Sequence, residues 1–156
     1  MHIKTVDIAL DDGEEKIFID TFSTLSDTIY IDNVIEAFQD VDYSKIISDN
    51  TKGLYGEKQK YRIVCSSVFY TLYILPDGNV TTCCTPPYPV ILGNIADESL
   101  YSMYTSKKRI GLLKMQLEGK RRVHSICKNC IQPNAFNFVE DDLDEARMSI
   151  LSRLKW

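Results

Sequence analysis

Five cysteines are the residues of this sequence whose type and spacing can do chemistry. They all lie in one stretch: Cys65 is followed after 17 residues by Cys83 and Cys84, and after 42 more by Cys127 and Cys130. The last two form a CxxC pair, which on a tight turn presents both sulfurs to the same point. Two further sulfurs complete a tetrahedral shell. The pattern therefore predicts that four thiolates converge on one inorganic centre.

The rest of the sequence favours a metal or a reaction over disulfides at these cysteines. No apolar run in the 156 residues approaches the roughly 18–20 needed to cross a bilayer. Residues 1–7 also lack the basic-then-apolar order of a signal peptide. The chain is thus expected to be cytoplasmic, without a membrane partner, and thiols stay reduced in that compartment. Five is moreover an odd number, which argues against a closed disulfide framework.

Charge is unevenly distributed along the chain. Residues 65–138 carry 8 basic and 4 acidic side chains, whereas residues 1–64 carry 7 basic and 13 acidic ones. A positive surround suits a centre built from four thiolates, whose charge exceeds that of the metal. The net charge is −4, and the basic residues are not interleaved with aromatic ones. No nucleic-acid partner is therefore expected.

The chain before the cysteines predicts a single αβ unit. Residues 14–26 place apolar side chains at helical spacing, and residues 27–34 are rich in β-branched and aromatic types, as strands are. A parallel strand needs neighbours, which the sequence does not obviously supply, so the unit resembles a piece of a larger fold. His2 is expected to be an unordered terminal residue. Residues 40–62 predict a connecting loop and the best boundary in the chain.

A β-hairpin should carry the second and third cysteines. Residues 69–75 and 80–83 predict its strands, and Pro76-Asp77-Gly78-Asn79 predicts its turn, because proline fixes φ and glycine takes the positive φ. Neighbouring strand residues point to opposite faces, so only one of Cys83 and Cys84 is expected to bind. Cys83 is favoured, and Cys84 is interpreted as a packed thiol or a reserve ligand.

Three helices are predicted after the hairpin. The first is capped by Asp97, the second runs from about Ser106 to Gly119, and the third follows the acidic pair at residues 141–142. His124, three residues before Cys127, is either a substitute ligand or a histidine satisfied by its neighbours, and the second interpretation is favoured. No serine, histidine or carboxylate pattern predicts a catalytic residue.

Residues 65–130 resemble a known cysteine-rich domain. The residues that carry the resemblance are Cys65-x12-Gly78-x4-Cys83, the run Pro76–Val80, the run Leu92–Ile95 followed by Ser99-Leu100, and the closing Cys127-x-x-Cys130. Together they look like the C-terminal extension of radical S-adenosylmethionine (SAM) enzymes, called SPASM, or twitch in its shortened form. Because no cysteine follows Cys130, the resemblance is to the single-cluster twitch form.

The resemblance implies an α+β fold: a small β-hairpin plus helices that form a cluster domain. In that family the cysteines would bind one [4Fe–4S] cluster through Cys65, Cys83, Cys127 and Cys130, with Cys84 in reserve. Residues 14–35 resemble the last αβ unit of the partial (β/α)6 barrel that precedes the extension. The implied division is a barrel remnant with linker at 1–60, the cluster domain at 61–138 and a C-terminal helix at 139–156.

One departure from the family bears on function. The CxxxCxxC loop that binds the SAM-cleaving cluster is absent from the sequence. The resemblance therefore implies part of a radical SAM oxidoreductase, or of an enzyme that modifies a peptide or small molecule, that is inactive alone. SAM would bind only in a full-length parent, whose barrel would be the partner of this domain. The auxiliary cluster would support electron transfer or hold the substrate.

Two alternatives use the same cysteines differently. Zinc accepts four thiolates in the same tetrahedral shape, which would make the chain a zinc-braced interaction module. Zinc ribbons, however, usually supply two CxxC pairs, whereas here 17 residues separate the first two cysteines. Zinc or mononuclear iron is the expected occupant of aerobically prepared protein. A thioredoxin-like pair at Cys127 and Cys130 is disfavoured because no βαβ pattern surrounds it.

Overall fold

The computed structural model describes residues 1–38, 41–47, 49–136 and 138–154. The chain divides into two compact units, Met1–Lys60 with Asn134–Phe136, and Tyr61–Pro133 with Asn137–Trp156. Helices and a small antiparallel sheet are mixed, and the described residues close no barrel, which confirms the α+β class. The division into a barrel remnant, a cluster domain and a C-terminal helix stays a prediction.

The first unit contains a βαβ arrangement. Strand β1 (His2–Val6) pairs in parallel with β2 (Thr28–Asp32), and helix α1 (Glu14–Phe22) connects them. The predicted strand at 27–34 thus has a neighbour, so the expectation of an unpaired strand was wrong. His2 is not unordered, since it lies in β1 and its ring contacts the Thr28 hydroxyl. The first strand was missed because only alternate residues of this short segment are half-buried.

The second unit contains the predicted hairpin in a shorter form. Strands β3 (Tyr73–Ile74), β4 (Asn79–Thr81) and β5 (Gly93–Asn94) form an antiparallel sheet in that order. Gly78 has a φ of 82° at the turn, where its N–H donates to the Leu75 carbonyl at 2.9 Å. The expectation of a strand from residue 69 was wrong, because Ser67–Tyr70 forms the short helix α2.

Further helices follow the sheet. They are α3 (Leu100–Tyr104), α4 (Lys107–Leu117), α5 (Gln132–Ala135) and α6 (Arg147–Arg153). The hydroxyl of Ser99, not Asp97, caps α3 by accepting the Ser102 N–H at 3.2 Å. The prediction for α4 is confirmed, since Ser106 caps its start and Gly119, with a φ of 74°, follows its end. Helix α6 begins at Arg147, later than the acidic pair predicted.

Short 3₁₀ turns complete the secondary structure, at Asp7–Ala9, Lys120–Val123, Cys127–Asn129 and Val139–Asp141. Among the described residues, no helix combines the length and apolar character needed to cross a bilayer.

The core of the second unit lies beside the first cysteine. One apolar cluster joins Val80, Leu92 and Met103, and a second joins Cys65 and Val68 to Leu112 and Leu113 of α4. The apolar face of α4 therefore packs against the segment that carries Cys65. This packing fixes the position of that cysteine relative to α4.

Candidate metal centre

The cysteines come from three segments of the second unit. Cys65 precedes α2, Cys83 and Cys84 follow β4, Cys127 opens the 3₁₀ turn Cys127–Asn129, and Cys130 follows that turn. All five thiols are free. Cys65 and Cys127 are buried, each 8% exposed, Cys83 and Cys130 are half-buried, and Cys84 is exposed. The predicted ligands are thus all less accessible to solvent than the predicted reserve cysteine.

Burial and the charges of neighbouring cysteines raise the pKa of these thiols. Burial first, and then the charges of Cys65 and Cys130, raise the pKa of Cys127 to about 11. Burial likewise raises the pKa of Cys83 to about 12, with contributions from Cys130, Cys84 and Cys65. The pKa of Cys65 is raised by burial and then by Cys130. A metal centre that uses these sulfurs must therefore displace protons from them.

The arrangement is not that of a preformed site for a single ion. Within the described ranges, no three or more His, Cys, Asp or Glu side chains are grouped to hold one metal ion. A zinc ion needs all four sulfurs about 2.3 Å from one point. A cluster can instead be held by one thiolate on each of its iron atoms. The assignment of Cys65, Cys83, Cys127 and Cys130 as the ligands stays a prediction.

Gln116 connects two of the predicted ligands. Its side chain is 1% exposed in α4, where its Oε1 accepts the N–H of Cys65 at 3.1 Å. Its Nε2 points at Sγ of Cys127 at 3.9 Å, which is a long N–H···S contact. The hydroxyl of Ser67 lies 3.2 Å from Sγ of Cys65. Sequence reasoning missed Gln116. The signal that could have identified it is a polar side chain among the core-facing residues of α4.

Arg121 is buried, and its side chain connects the residues before Cys65 with Cys130. Its guanidinium donates to the carbonyl of Arg62 at 2.7 Å and to the carbonyl of Cys130. Its positive charge opposes the rise in pKa of Cys65, Cys127 and Cys130, which burial dominates. Sequence reasoning missed this residue, because nothing local distinguishes it from the exposed Arg122 beside it.

His124 is a satisfied histidine, as favoured, and caps the turn that presents the CxxC pair. Its Nδ1 accepts the backbone N–H groups of Ile126 at 3.3 Å and of Cys127 at 3.2 Å. Because these bonds occupy the Nδ1 lone pair, this nitrogen is engaged in holding the backbone. Its contribution to the centre is the orientation of the backbone at Cys127.

Cys84 has surroundings of its own. Its Sγ accepts the side-chain N–H of Gln132 at 3.0 Å and lies 3.5 Å from the hydroxyl of Thr85. Tyr73 is close by: burial raises the pKa of Tyr73 to about 12, and Cys84 contributes to that rise. The Sγ of Cys83 instead faces the Thr85 carbonyl at 3.5 Å. Strand β4 ends at Thr81, so alternation along a strand does not separate the two thiols, and both sulfurs contact Thr85. The choice of Cys83 over Cys84 as the ligand stays a prediction.

Carboxylates from the C-terminal segment hold the residues that lead into Cys65. Asp144 accepts the N–H groups of Ile63 and Val64, each at 2.9 Å, and Asp142 pairs with the guanidinium of Arg62. The prediction that these carboxylates begin a helix was wrong, since they make contacts about 80 residues away along the chain. They place Cys65 at a fixed point of the second unit.

The residues present fit an iron–sulfur centre. Cys65 lies in an apolar cluster, Ser67 and Gln116 approach the sulfurs of Cys65 and Cys127, and the buried Arg121 donates to the Cys130 carbonyl. Such surroundings suit a negatively charged cluster, because hydrogen bonds and positive charge near its sulfurs tune its affinity and its potential.

Comparisons with known proteins identify the same stretch. No curated protein and no solved structure matches the chain. The family model of SPASM matches residues 65–131, from the first cysteine to the residue after the last. This match confirms the resemblance drawn from the motifs and implies iron–sulfur cluster binding. The cysteine-bearing part of the chain, residues 65–131, is thus a match to SPASM, an iron–sulfur cluster-binding domain.

Proposed function

We propose that Cys65, Cys83, Cys127 and Cys130 bind one [4Fe–4S] cluster that serves as the auxiliary cluster of a radical SAM enzyme. The observation that carries the proposal is that, within the SPASM match, these four thiols are buried or half-buried whereas that of Cys84 is exposed. Four thiolates saturate such a cluster, so no iron is left open for a substrate. The cluster then supplies one-electron transfer or a rigid support for a substrate site.

The protein's own residues have defined parts in this proposal. Leu112 and Leu113 of α4 pack against Cys65 and exclude water from it. Gln116 fixes the backbone of Cys65 and points a donor at the sulfur of Cys127. Hydrogen bonds directed at thiolate sulfurs raise a cluster's reduction potential.

The chain alone is proposed to be unable to cleave SAM. The sequence has no CxxxCxxC, and therefore no cysteine triplet for an iron with an open site. Its proposed partner is the barrel of a parent radical SAM enzyme acting on a peptide or a small molecule. The coding region directly upstream tests this part of the proposal. A CxxxCxxC segment there, in the same reading frame, would support it. An upstream region without one argues for a separate cluster protein.

Anaerobic reconstitution of the full chain tests the centre. We expect about four iron and four sulfide per chain. One zinc and no sulfide would instead make the chain a zinc-braced interaction module. Alanine variants of Cys65, Cys83, Cys127 and Cys130 are each expected to lose the metal, whereas Cys84→Ala, the matched control, keeps it. Equal metal content in all five variants contradicts the assignment.

A further inference from the structure

Among the described residues of the second unit, the largest fully buried side chain is a cation. Arg121 is 1% exposed, and its guanidinium makes two hydrogen bonds, both to main-chain carbonyls, of Arg62 and Cys130. Its Nε is buried and has no hydrogen-bond partner in the described part of the chain. The guanidinium thus keeps an unused donor and a full charge inside the protein.

No carboxylate neutralises that charge among the described residues. Arg62, which is also buried, has Asp142 as its ion-pair partner, but no salt bridge involves Arg121. An isolated buried charge is strongly unfavourable unless an opposite charge compensates it. An anion other than a carboxylate of the described residues would therefore stabilise the burial of Arg121.

A second buried arginine shows what compensation by neutral groups looks like. Arg109 is 5% exposed and donates to the carbonyls of Tyr104, Val68 and Phe69, while its Nε, like that of Arg121, has no partner in the described part of the chain. Its guanidinium also lies 3.7 Å from the centre of the Tyr104 ring, a favourable cation–π distance. Arg121 has one carbonyl fewer, and the nearest ring, that of Tyr61, is 5.0 Å away. Neutral partners thus compensate Arg121 less completely.

Arg121 contacts the segments that carry the predicted ligands. Its guanidinium donates to the carbonyl of Cys130 and to that of Arg62, three residues before Cys65, so a full positive charge lies beside the backbone that presents the predicted ligand sulfurs. With metal bound, these sulfurs are thiolates, and their negative charge exceeds that of the metal core. The reduction potential of an iron–sulfur cluster rises when nearby positive charge offsets its negative charge.

We propose that Arg121 is the built-in countercharge of the thiolate centre, which favours its assembly and raises its reduction potential. The potential part rests on the proposed function, because it requires an iron–sulfur cluster. The assembly part does not, since four thiolates around zinc also carry excess negative charge. Arg121 is a positioning residue with an electrostatic effect and does not itself bind metal.

Four variants of the full chain separate charge from structure. Arg121→Gln removes the charge and keeps a donor, and Arg121→Lys keeps the charge and loses the fork that spans two carbonyls. Arg122→Gln is the matched control, because Arg122 is exposed and lies over the same Tyr61 ring, 4.6 Å from its centre. Arg109→Gln is the buried control, which removes a guanidinium whose hydrogen bonds go to the carbonyls of Tyr104, Val68 and Phe69 and not to a cysteine.

Zinc affinity, measured by competition with a chelator, is the first readout. Loss of a residue that supports metal ligands typically costs about 10–100-fold in affinity, and we expect a loss in that range for Arg121→Gln. Arg121→Lys should lose less, and the Arg122 and Arg109 variants should bind as the wild type does. The midpoint potential of the reconstituted cluster is the second readout. It should fall in Arg121→Gln and stay nearer the wild-type value in Arg121→Lys.

Three results overturn the proposal. Arg121→Gln could match Arg122→Gln in zinc affinity and, where a cluster forms, in potential. Arg121→Lys could lose as much affinity as Arg121→Gln, which makes charge irrelevant. Circular dichroism of the metal-free proteins could show that Arg121→Gln has lost structure that the wild type keeps. Arg121 would then have only a structural role, through its hydrogen bonds to two carbonyls. If the wild type binds zinc but no cluster, the proposed function fails, while the zinc affinities still decide the role of Arg121.

Discussion

Asp144 allows the sharpest test of how the C-terminal segment supports the centre. Its carboxylate is the acceptor for the N–H groups of Ile63 and Val64. Val64 is 2% exposed, so water cannot reach its N–H when the carboxylate is removed. Leaving a buried donor unpaired costs about 1–3 kcal/mol, and the half-buried Ile63 adds less. We therefore expect Asp144→Ala to destabilise this segment by about 2–3 kcal/mol.

Hydrogen exchange measures this loss at the two amides themselves. Because 1.4 kcal/mol corresponds to a factor of ten, exchange of the Ile63 and Val64 amides should accelerate by about 25–150-fold. Asp144→Asn keeps one acceptor oxygen and should show a smaller effect. The control is Glu145→Ala, which removes an exposed neighbouring carboxylate. The same exchange rates in Asp144→Ala and Glu145→Ala would refute the reasoning, as would acceleration spread evenly over the whole unit.

Three further predictions concern the turn of the hairpin, helix α4 and the first unit. Gly78→Ala should destabilise the second unit by about 1–2 kcal/mol, because its φ is 82° and a Cβ would approach Oδ1 of Asn94 at 2.9 Å. Gly111→Ala, in α4 with open space, should instead stabilise it by about 0.5–1 kcal/mol, and urea unfolding distinguishes the two signs. Lys4→Met should destabilise the first unit, because Lys4 is hydrogen-bonded at 2.6 Å to the buried Asp32. That hydrogen bond, and then the charge of Asp32, raise the pKa of Lys4 above its ordinary 10.5. The stability difference should therefore be constant from neutral pH to about 10.5 and shrink only above it, and shrinkage below pH 9 contradicts the assignment.

Local sequence signals predicted the secondary structure correctly where a residue acts within its own segment. The hairpin turn was predictable because Pro76 and Gly78 meet the backbone requirements of a turn wherever they occur. Helix α4 was predictable for the same reason, since Ser106 and Gly119 mark its ends through their own hydrogen bonding and φ. The spacing of the five cysteines can also be read directly from the sequence, and its resemblance to SPASM is confirmed by the family match.

Long-range contacts explain the errors. Asp142 and Asp144 have the composition of a helix start, but their carboxylates serve Arg62 and the backbone at Ile63 and Val64. Residues 67–70 contain types that favour strands, yet they form helix α2, whose Val68 and Phe69 carbonyls accept hydrogen bonds from Arg109, 41 and 40 residues away. Local propensity is a weak guide where such contacts decide the conformation.

The supporting residues of the centre could not be predicted. A buried arginine and an exposed one have the same sequence signature, as Arg121 and Arg122 show. Their difference arises only when the segment containing Arg62 packs against the turn before Cys130. The burial of Gln116 was easier to predict, because it lies among the apolar residues of α4. Its two partners were not predictable, because they are 51 and 11 residues away.

The contact of Gln116 with both ends of the cysteine stretch has a consequence for the order of maturation. The proposed ligands come from three segments separated by 17 and 42 residues, so they meet only after the hairpin and α4 have folded. An amide that holds the backbone of Cys65 and faces the sulfur of Cys127 brings the first and third segments into register beforehand. Insertion of the proposed cluster would then close two long loops whose entropy has been partly lost already. It would take place on a chain already synthesised past Cys130.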